Sequence, residues 1–257
     1  MRIFAVGDVV GRNGVAFLQD VLPPFKRMKG VDFCVVNGEN SNDGNGITPA
    51  SSRELINAGA DLITTGNHAY RRTEMYDFFD SCSYVLRPAN FPESCPGRGY
   101  CILDKGRIQI GVINLMGTTY LEPLANPFRL VDPILEELSA CRIILVDFHA
   151  EATSEKRAMG FYLDGKVSAV FGTHTHVQTA DEQILPGGTG YITDLGMTGS
   201  VQSVLGVKPE IIIQKFRTNM PVRFDFQKEG EQMVNGCLFD IDDKTGKTTA
   251  IERIVLR

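Results

Sequence analysis

At 257 residues, with 43% hydrophobic and 22% charged side chains, the chain can bury a large core and has the composition of an ordinary soluble globular domain. Its formal net charge of −5 gives no sign of wholesale nucleic-acid binding through a basic surface. It does not exclude a small anionic substrate, because bound cations reverse the local charge.

Residues 2–6 read as a buried strand ending at Gly7-Asp8. The apolar spacing of Phe17, Leu18, Val21, Leu22 and Phe25 predicts a helix over Val15–Met28, bent or ended by Pro23-Pro24. A second strand spans Asp32–Val36 and runs into Asn37-Gly38-Glu39-Asn40. A turn-rich loop, Ser41 to Gly46, follows. Thr48-Pro49 is an N-cap with proline at the first helical position, opening a helix to about Asn57. Ala60–Thr65 is a third strand, ending at Gly66-Asn67-His68, with a helix expected from there through Phe79. Residues 84–114 read as short strands, Arg107–Leu115 the clearest. Ile134–Ala140 is helical, Arg142–Asp147 is a strand leading to His149, and Ser154–Leu163 is a helix. Val167–Phe171 is a strand leading to His174. A helix is expected near Lys208–Phe216, and Phe224–Arg257 reads as a closing hairpin turning at Asp242-Asp243-Lys244-Thr245-Gly246.

No repeat or low-complexity linker divides the chain, so a single domain over 1–257 is expected. Strand–helix alternation in both halves, with antiparallel strands between, predicts an α/β fold of mixed sheets covered by helices. Ligands in such folds gather at the carboxyl ends of strands. The chemistry-bearing motifs fall there.

All four histidines, His68, His149, His174 and His176, follow strand-like runs, as do Asp8, Glu39 and Asn67. Carboxylate, amide and imidazole groups in this order suit two cations a few ångströms apart. A bridging carboxylate fixes their spacing, and neutral ligands leave positive charge for a phosphate. A water shared by two cations becomes acidic enough to attack as hydroxide. Asp8, Glu39, Asn67, His149, His174 and His176 are the candidate ligands, and His68 is left as proton donor. On an extended backbone His174 and His176, two apart, point the same way and reach adjacent metals. Gly7 and Gly11 lack the full glycine pattern of a dinucleotide loop, so no organic cofactor is expected. The six cysteines form no Cys-x-x-Cys pair and no zinc-finger spacing; Cys34 and Cys141 lie in apolar runs, where a thiol is a small hydrophobe. No apolar run reaches membrane-span length, and no signal-peptide pattern opens the chain. A reduced, cytoplasmic setting is expected.

The chain resembles the calcineurin-like metallophosphoesterases, and more closely their bacterial YmdB-like branch. The residues that carry the likeness are Gly-Asp-Val-Val-Gly-Arg-x-Gly at 7–14, Asn-Gly-Glu-Asn at 37–40 and Thr-Gly-Asn-His at 65–68. Phe-His-Ala-Glu-Ala-Thr-Ser-Glu-Lys at 148–156, Gly-Thr-His-Thr-His-Val-Gln-Thr-Ala-Asp at 172–181 and Thr-Asp-Leu-Gly-Met-Thr-Gly at 193–199 extend it over essentially the whole chain. The resemblance implies a four-layer α/β/β/α sandwich of two mixed sheets, the metallophosphoesterase fold. It also implies phosphodiesterase activity on nucleoside 2′,3′-cyclic phosphates. One metal would take Asp8, Glu39, Asn40 and His176; the other would share Glu39 and take Asn67, His149 and His174. His68 would be the general acid. The wider superfamily opens on Asp-x-His, but residue 10 is Val, and the Asn40 amide oxygen is the natural replacement. Its usual bridging Asp is Glu39, as in the YmdB-like branch. That branch tends to place an aromatic–acidic pair after Gly-Asn-His, where this chain has Ala69-Tyr70-Arg71.

Mixed nitrogen and oxygen donors suit two transition-metal ions, iron or manganese first, with zinc or magnesium as alternatives. A phosphomonoesterase or protein phosphatase would share the same core. A low-turnover scaffold binding cyclic nucleotides or RNA ends is the reading of another class, and a positioned acid at His68 argues against it. The resemblance is compatible with a homo-oligomer, and no membrane partner is expected.

Overall fold

The computed structural model describes residues 1–43 and 45–257; Gly44, in the expected turn-rich loop, lies outside them. Two mixed sheets stack face to face. In the first, β2 (Asp8–Val9), β11 (Met197–Ser200), β12 (Gln232–Ile241), β1 (Arg2–Val6), β3 (Phe33–Asn37) and β4 (Leu62–Thr64) lie in that order, and β13 (Thr248–Leu256) pairs with β12. In the second the order is β5 (Tyr100–Asp104), β6 (Gln109–Met116), β7 (Ile143–His149), β8 (Ala169–Thr173), β10 (Gly190–Ile192) and β9 (Gln183–Ile184). Strands β1, β3 and β4 run parallel, as do β6, β7, β8 and β10.

The alternation of side chains along a strand sorts the core into three slabs. Ile3 and Ala5 of β1 and Phe33 and Val35 of β3 meet Ile143 and Leu145 of β7 between the sheets. Phe4, Val6, Cys34 and Val36 face the other way. They pack under helices α1 (Gly11–Lys29), α2 (Pro49–Asn57) and α3 (Met75–Ser81). Ile144, Val146 and Phe148 pack under α4 (Pro127–Glu137) and α5 (Thr153–Tyr162). The result is the four-layer α/β/β/α sandwich of the metallophosphoesterase fold. A sixth helix, α6 (Pro209–Thr218), lies outside these slabs and buries only Ile212.

Several elements differ from the sequence expectation. Helix α1 starts at Gly11, not Val15, and continues through Pro23 and Pro24 to Gly30, whose left-handed backbone caps it. An internal proline costs about 3 kcal/mol. Val15, Leu18, Leu22 and Phe25 are all buried on one face, each contributing roughly 1.5–3 kcal/mol, so tertiary burial wins. The expected helix after His68 is delayed to Met75 by turns. Between residues 84 and 99 only Val85 bridges a strand, Ile63; Pro88, Pro92 and Pro96 interrupt ladder pairing. Helix α4 begins seven residues before Ile134, where the Asn126 side chain caps the N–H of Phe128 ahead of Pro127. The closing hairpin starts at Gln232 and leaves 224–231 irregular. Thr48 and Ser51 form the cap expected of α2, each side chain bonding the other's backbone.

Candidate metal centre

The period-two pattern that fills the space between the sheets also builds the centre. On β3, β4, β7 and β8 the residues in phase with the inter-sheet core end in Asn37, Thr64, Asp147, His149 and Thr173, all buried. Asp147 accepts hydrogen bonds from the Thr64 hydroxyl (2.5 Å), the Thr173 hydroxyl (2.7 Å) and the Asn37 amide (3.1 Å). Burial pushes its carboxyl up to about 6 in spite of these donors and the nearby His149. Since the Thr173 proton is committed to Asp147, His149 Nδ1–H donates to Thr173 Oγ1 at 2.9 Å. That leaves Nε2, once it has lost its proton, to offer a lone pair to a cation.

Around His149 Nε2 the expected ligands of one cation converge. Asn67 Oδ1 lies at 3.0 Å, His174 Nδ1 at 3.0 Å and Glu39 Oε2 at 3.3 Å. Ligand bonds of about 2.0–2.2 Å make edges of about this length, so Glu39, His149 and His174 form a group that would hold a metal ion. Gly66 permits the approach, because a Cβ there would sit 2.2 Å from His149 Nε2 and 2.4 Å from Glu39 Oε2.

The second set lies on the other side of Glu39. Asn40 Nδ2 donates to Glu39 Oε1 at 3.0 Å and stands 3.3 Å from His176 Nε2. His176 Nε2 is 3.7 Å from Asp8 Oδ1. That Asp8 oxygen is buried and has no hydrogen-bond partner among the described residues, as befits an atom kept for a cation. Asn40 pairs with Val10 as an isolated parallel bridge, which sets its side chain beside the position where the superfamily has histidine. The sequence expectation put the Asn40 amide oxygen towards a metal. Here that oxygen faces His68 Nδ1 at 2.9 Å, and a half-turn of the amide is needed to exchange its ends.

Each of the three expected imidazole ligands turns one nitrogen inward and anchors the other. His149 is anchored by Thr173. His174 Nε2 meets Glu151 Oε2 at 3.0 Å, and His176 Nδ1–H donates to the Leu205 carbonyl at 3.2 Å. Such outer oxygens fix the tautomer and orientation that metal-binding histidines need. His174 and His176 reach their places by left-handed turns, φ 98° and 63°, not on the extended backbone expected. The turn is imposed by Asp8 Oδ2, which accepts the His174 N–H (3.0 Å), and Asp194 Oδ2, which accepts the Thr175 N–H (3.1 Å).

Two buried carboxylates need opposite charge. Burial alone would raise Asp8 and Glu39, but His176 and His149 outweigh it for Asp8, and His149 and His68 for Glu39, so both are held below the usual carboxylate range. Burial likewise opposes charge on His149, yet Glu39 and Asp8 push it up to about 9. Burial and the neighbouring His149 lower His174 to about 3, keeping it neutral. A cation would serve the carboxylates in place of the His149 proton, so loading and deprotonation are coupled.

His68 borders a cavity of about 380 Å³ together with Glu39, Asn40, His174 and His176. Its N–H donates to Glu39 Oε2 (3.2 Å), and its Nδ1 lies 3.2 Å from Glu39 Oε1. All eight residues singled out from the sequence are therefore brought into one network.

The sequence reading missed the residues behind that network. Lys156 is 2% exposed on α5, pairs with Asp194 at 2.6 Å and donates to the Thr173 carbonyl at 2.7 Å. Asp194 Oδ1 accepts the Gly196 N–H at 2.8 Å. The pair thus clamps the His174–His176 turn. Lys156, Glu151 and Asp194 all sit inside motifs that carried the family likeness, which was the available signal.

A family model described as YmdB-like protein matches residues 4–254. The chain belongs to that family. A Bacillus subtilis (strain 168) protein named 2′,3′-cyclic-nucleotide 2′-phosphodiesterase is 48% identical over 257 residues, 100% of this chain and 97% of its own length. A crystal structure described as a novel phosphatase from Mycoplasma pneumoniae superposes with a TM-score of 0.94 at 34% identity, covering 100% of this chain and 93% of that one. A hypothetical protein from Thermus thermophilus gives 0.93 at 38% identity, covering 100% and 99%.

Proposed function

We propose that this chain is a dinuclear metal-dependent phosphodiesterase that opens nucleoside 2′,3′-cyclic phosphates. The observation that carries the dinuclear reading is Glu39. It is buried, and its two oxygens face different donor sets: Oε2 faces His149, and Oε1 faces Asn40. The 2′,3′-cyclic substrate is supported by the name of the Bacillus subtilis relative. Both sheets contribute, Asp8 and Glu39 from the first and His149 and His174 from the second, which supports reading 1–257 as one catalytic domain.

Asp8, Glu39, Asn40 and His176 would hold one cation; Glu39, Asn67, His149 and His174 would hold the other. When bound, the cations supply an acidified water and neutralise phosphate charge. The nitrogen and oxygen donors suit iron or manganese. Asn40, Asn67, His149, His174 and His176 are neutral when ligating, so only Asp8 and Glu39 cancel charge. His68 is held at Nδ1 by Asn40 and Glu39, and its Nε2 has no hydrogen-bond partner among the described residues. In its imidazolium form, with Nδ1–H turned to Asn40 and Glu39, His68 gives the Nε2 proton to the departing ribose 2′-oxygen as water adds at phosphorus, leaving a nucleoside 3′-phosphate.

The test is turnover on matched esters: 2′,3′-cyclic AMP, 3′-AMP and a phosphoserine peptide. Conversion of 2′,3′-cyclic AMP to 3′-AMP, with much slower release of inorganic phosphate from the other two, is expected. Preferential hydrolysis of 3′-AMP or the peptide would reassign the site as a phosphomonoesterase.

A further inference from the structure

The cavity bordered by His68, His174 and His176 does not end at the polar centre. Its size falls in the range of about 300–1,000 Å³ typical of small-molecule sites, and beyond the polar centre it has an apolar wall of Leu205, Ile212, Phe216, Phe224 and Phe226. Phe216 is 75% exposed and Phe224 43% exposed, although both border the cavity. Leu205, a non-glycine residue, takes a left-handed backbone with φ 56°, the kind of strain that concentrates at ligand sites. Its carbonyl accepts from His176 Nδ1, so one peptide links the apolar wall to the candidate metal centre. Lys215 supplies the only ammonium bordering the cavity among the described residues, and its Nζ lies 4.9 Å from the centroid of the Phe224 ring.

We propose that Phe216, Phe224 and Phe226 form the nucleobase subsite, holding the base by stacking against aromatic rings. The inference rests on the phosphodiesterase reading for its substrate: a cyclic phosphate anchored between the histidines must send its base into the same cavity, and the wall there is made of rings. Rings without hydrogen-bonding groups offer a π-face to any base, so the wall provides affinity with little edge recognition. The continuity of wall and centre in one concavity favours a base over a second copy of the chain as its occupant.

The direct test is a titration of the metal-loaded protein with 2-aminopurine riboside, whose fluorescence falls on stacking. This nucleoside carries no phosphate, so its binding reports on the wall whatever ester the enzyme hydrolyses. Saturable quenching is expected. Phe216→Ala and Phe224→Ala should each raise Kd by roughly 5–150-fold, the range for loss of one base–aromatic stack. Both rings are exposed, so neither change disturbs the core. In parallel, KM for 2′,3′-cyclic AMP should rise, while kcat/KM for ethylene phosphate, a five-membered cyclic diester with no base, should stay unchanged. Absence of saturable quenching, or an unchanged Kd in both variants, overturns the subsite. So does a change of assembly state in sedimentation with nucleoside binding intact, which would make the wall an interface between copies. If the unaltered protein binds the nucleoside but leaves 2′,3′-cyclic AMP intact, the phosphodiesterase reading fails and the subsite stands.

Discussion

His68 and Asn40 share a hydrogen bond, and the roles proposed for them separate cleanly by experiment. His68→Ala should keep its metals and lose about 10²–10⁴-fold in turnover on 2′,3′-cyclic AMP, the usual worth of general acid catalysis. The loss should be far smaller on a nitrophenyl phosphodiester, whose leaving group needs no proton. Equal losses on the two esters would make His68 a binding residue. Asn40→Ala should weaken one step of a metal titration by about 10–100-fold and spare the other; two unaltered steps would leave the Val10 vacancy to water. Behind these residues, Lys156→Met would strand Asp194, a buried carboxylate. Removal of one partner of a buried pair costs about 3–5 kcal/mol, read as a lower urea midpoint with an unchanged slope. At this scale the sequence was informative where chemistry narrows residue choice: aspartate, glutamate, asparagine and histidine at strand ends are hard to explain otherwise. Lys156 and Glu151 were not assigned roles, because on a helix or loop each reads as a solvated charge until the fold shows its partner.

The elements were legible where local signals agree, and not where tertiary contacts override them. Thr48-Pro49 and the strand before His149 were read within a residue or two. Pro23 and Pro24 are expected to bend or end the helix, but the buried face of α1 carries it through them to Lys29. The left-handed turns at His174 and His176 depend on carboxylates from distant elements, Asp8 and Asp194, which no local pattern contains. Asp61 illustrates how one side chain ties elements together. It accepts from Lys26 on α1 (2.9 Å), Lys105 (2.9 Å) and the Cys34 N–H on β3 (2.9 Å). Burial would raise its pKa, but these donors, Lys26 first, lower it. A depressed carboxylate adds stability above its unfolded value of about 3.9 and loses it as pH falls through the folded value. The stability gap between the unaltered protein and Asp61→Asn should therefore be full at neutral pH and shrink below about pH 4. A gap independent of pH in urea titrations would assign Asp61 a packing role only.

For the whole molecule, the two-sheet sandwich followed from the resemblance and from strand–helix alternation in both halves, while the order of strands within each sheet was beyond the sequence. The stacking of the two sheets matters to function, because it sets His149, at the end of β7, against Glu39, just past the end of β3 and more than a hundred residues away in the chain. Glu39→Gln is accordingly the measurement that bears most directly on the account. An amide of the same shape carries no charge and one acceptor oxygen, so it cannot join two cations. Metal content by elemental analysis, circular dichroism and turnover on 2′,3′-cyclic AMP would be read together. The unaltered protein should carry about two transition-metal ions per chain, as two-metal hydrolysis requires. The variant should keep its fold, lose at least one ion and lose nearly all turnover. A Glu39→Gln protein with its metals and turnover intact, or an unaltered protein fully active in strong chelator, would contradict the dinuclear centre.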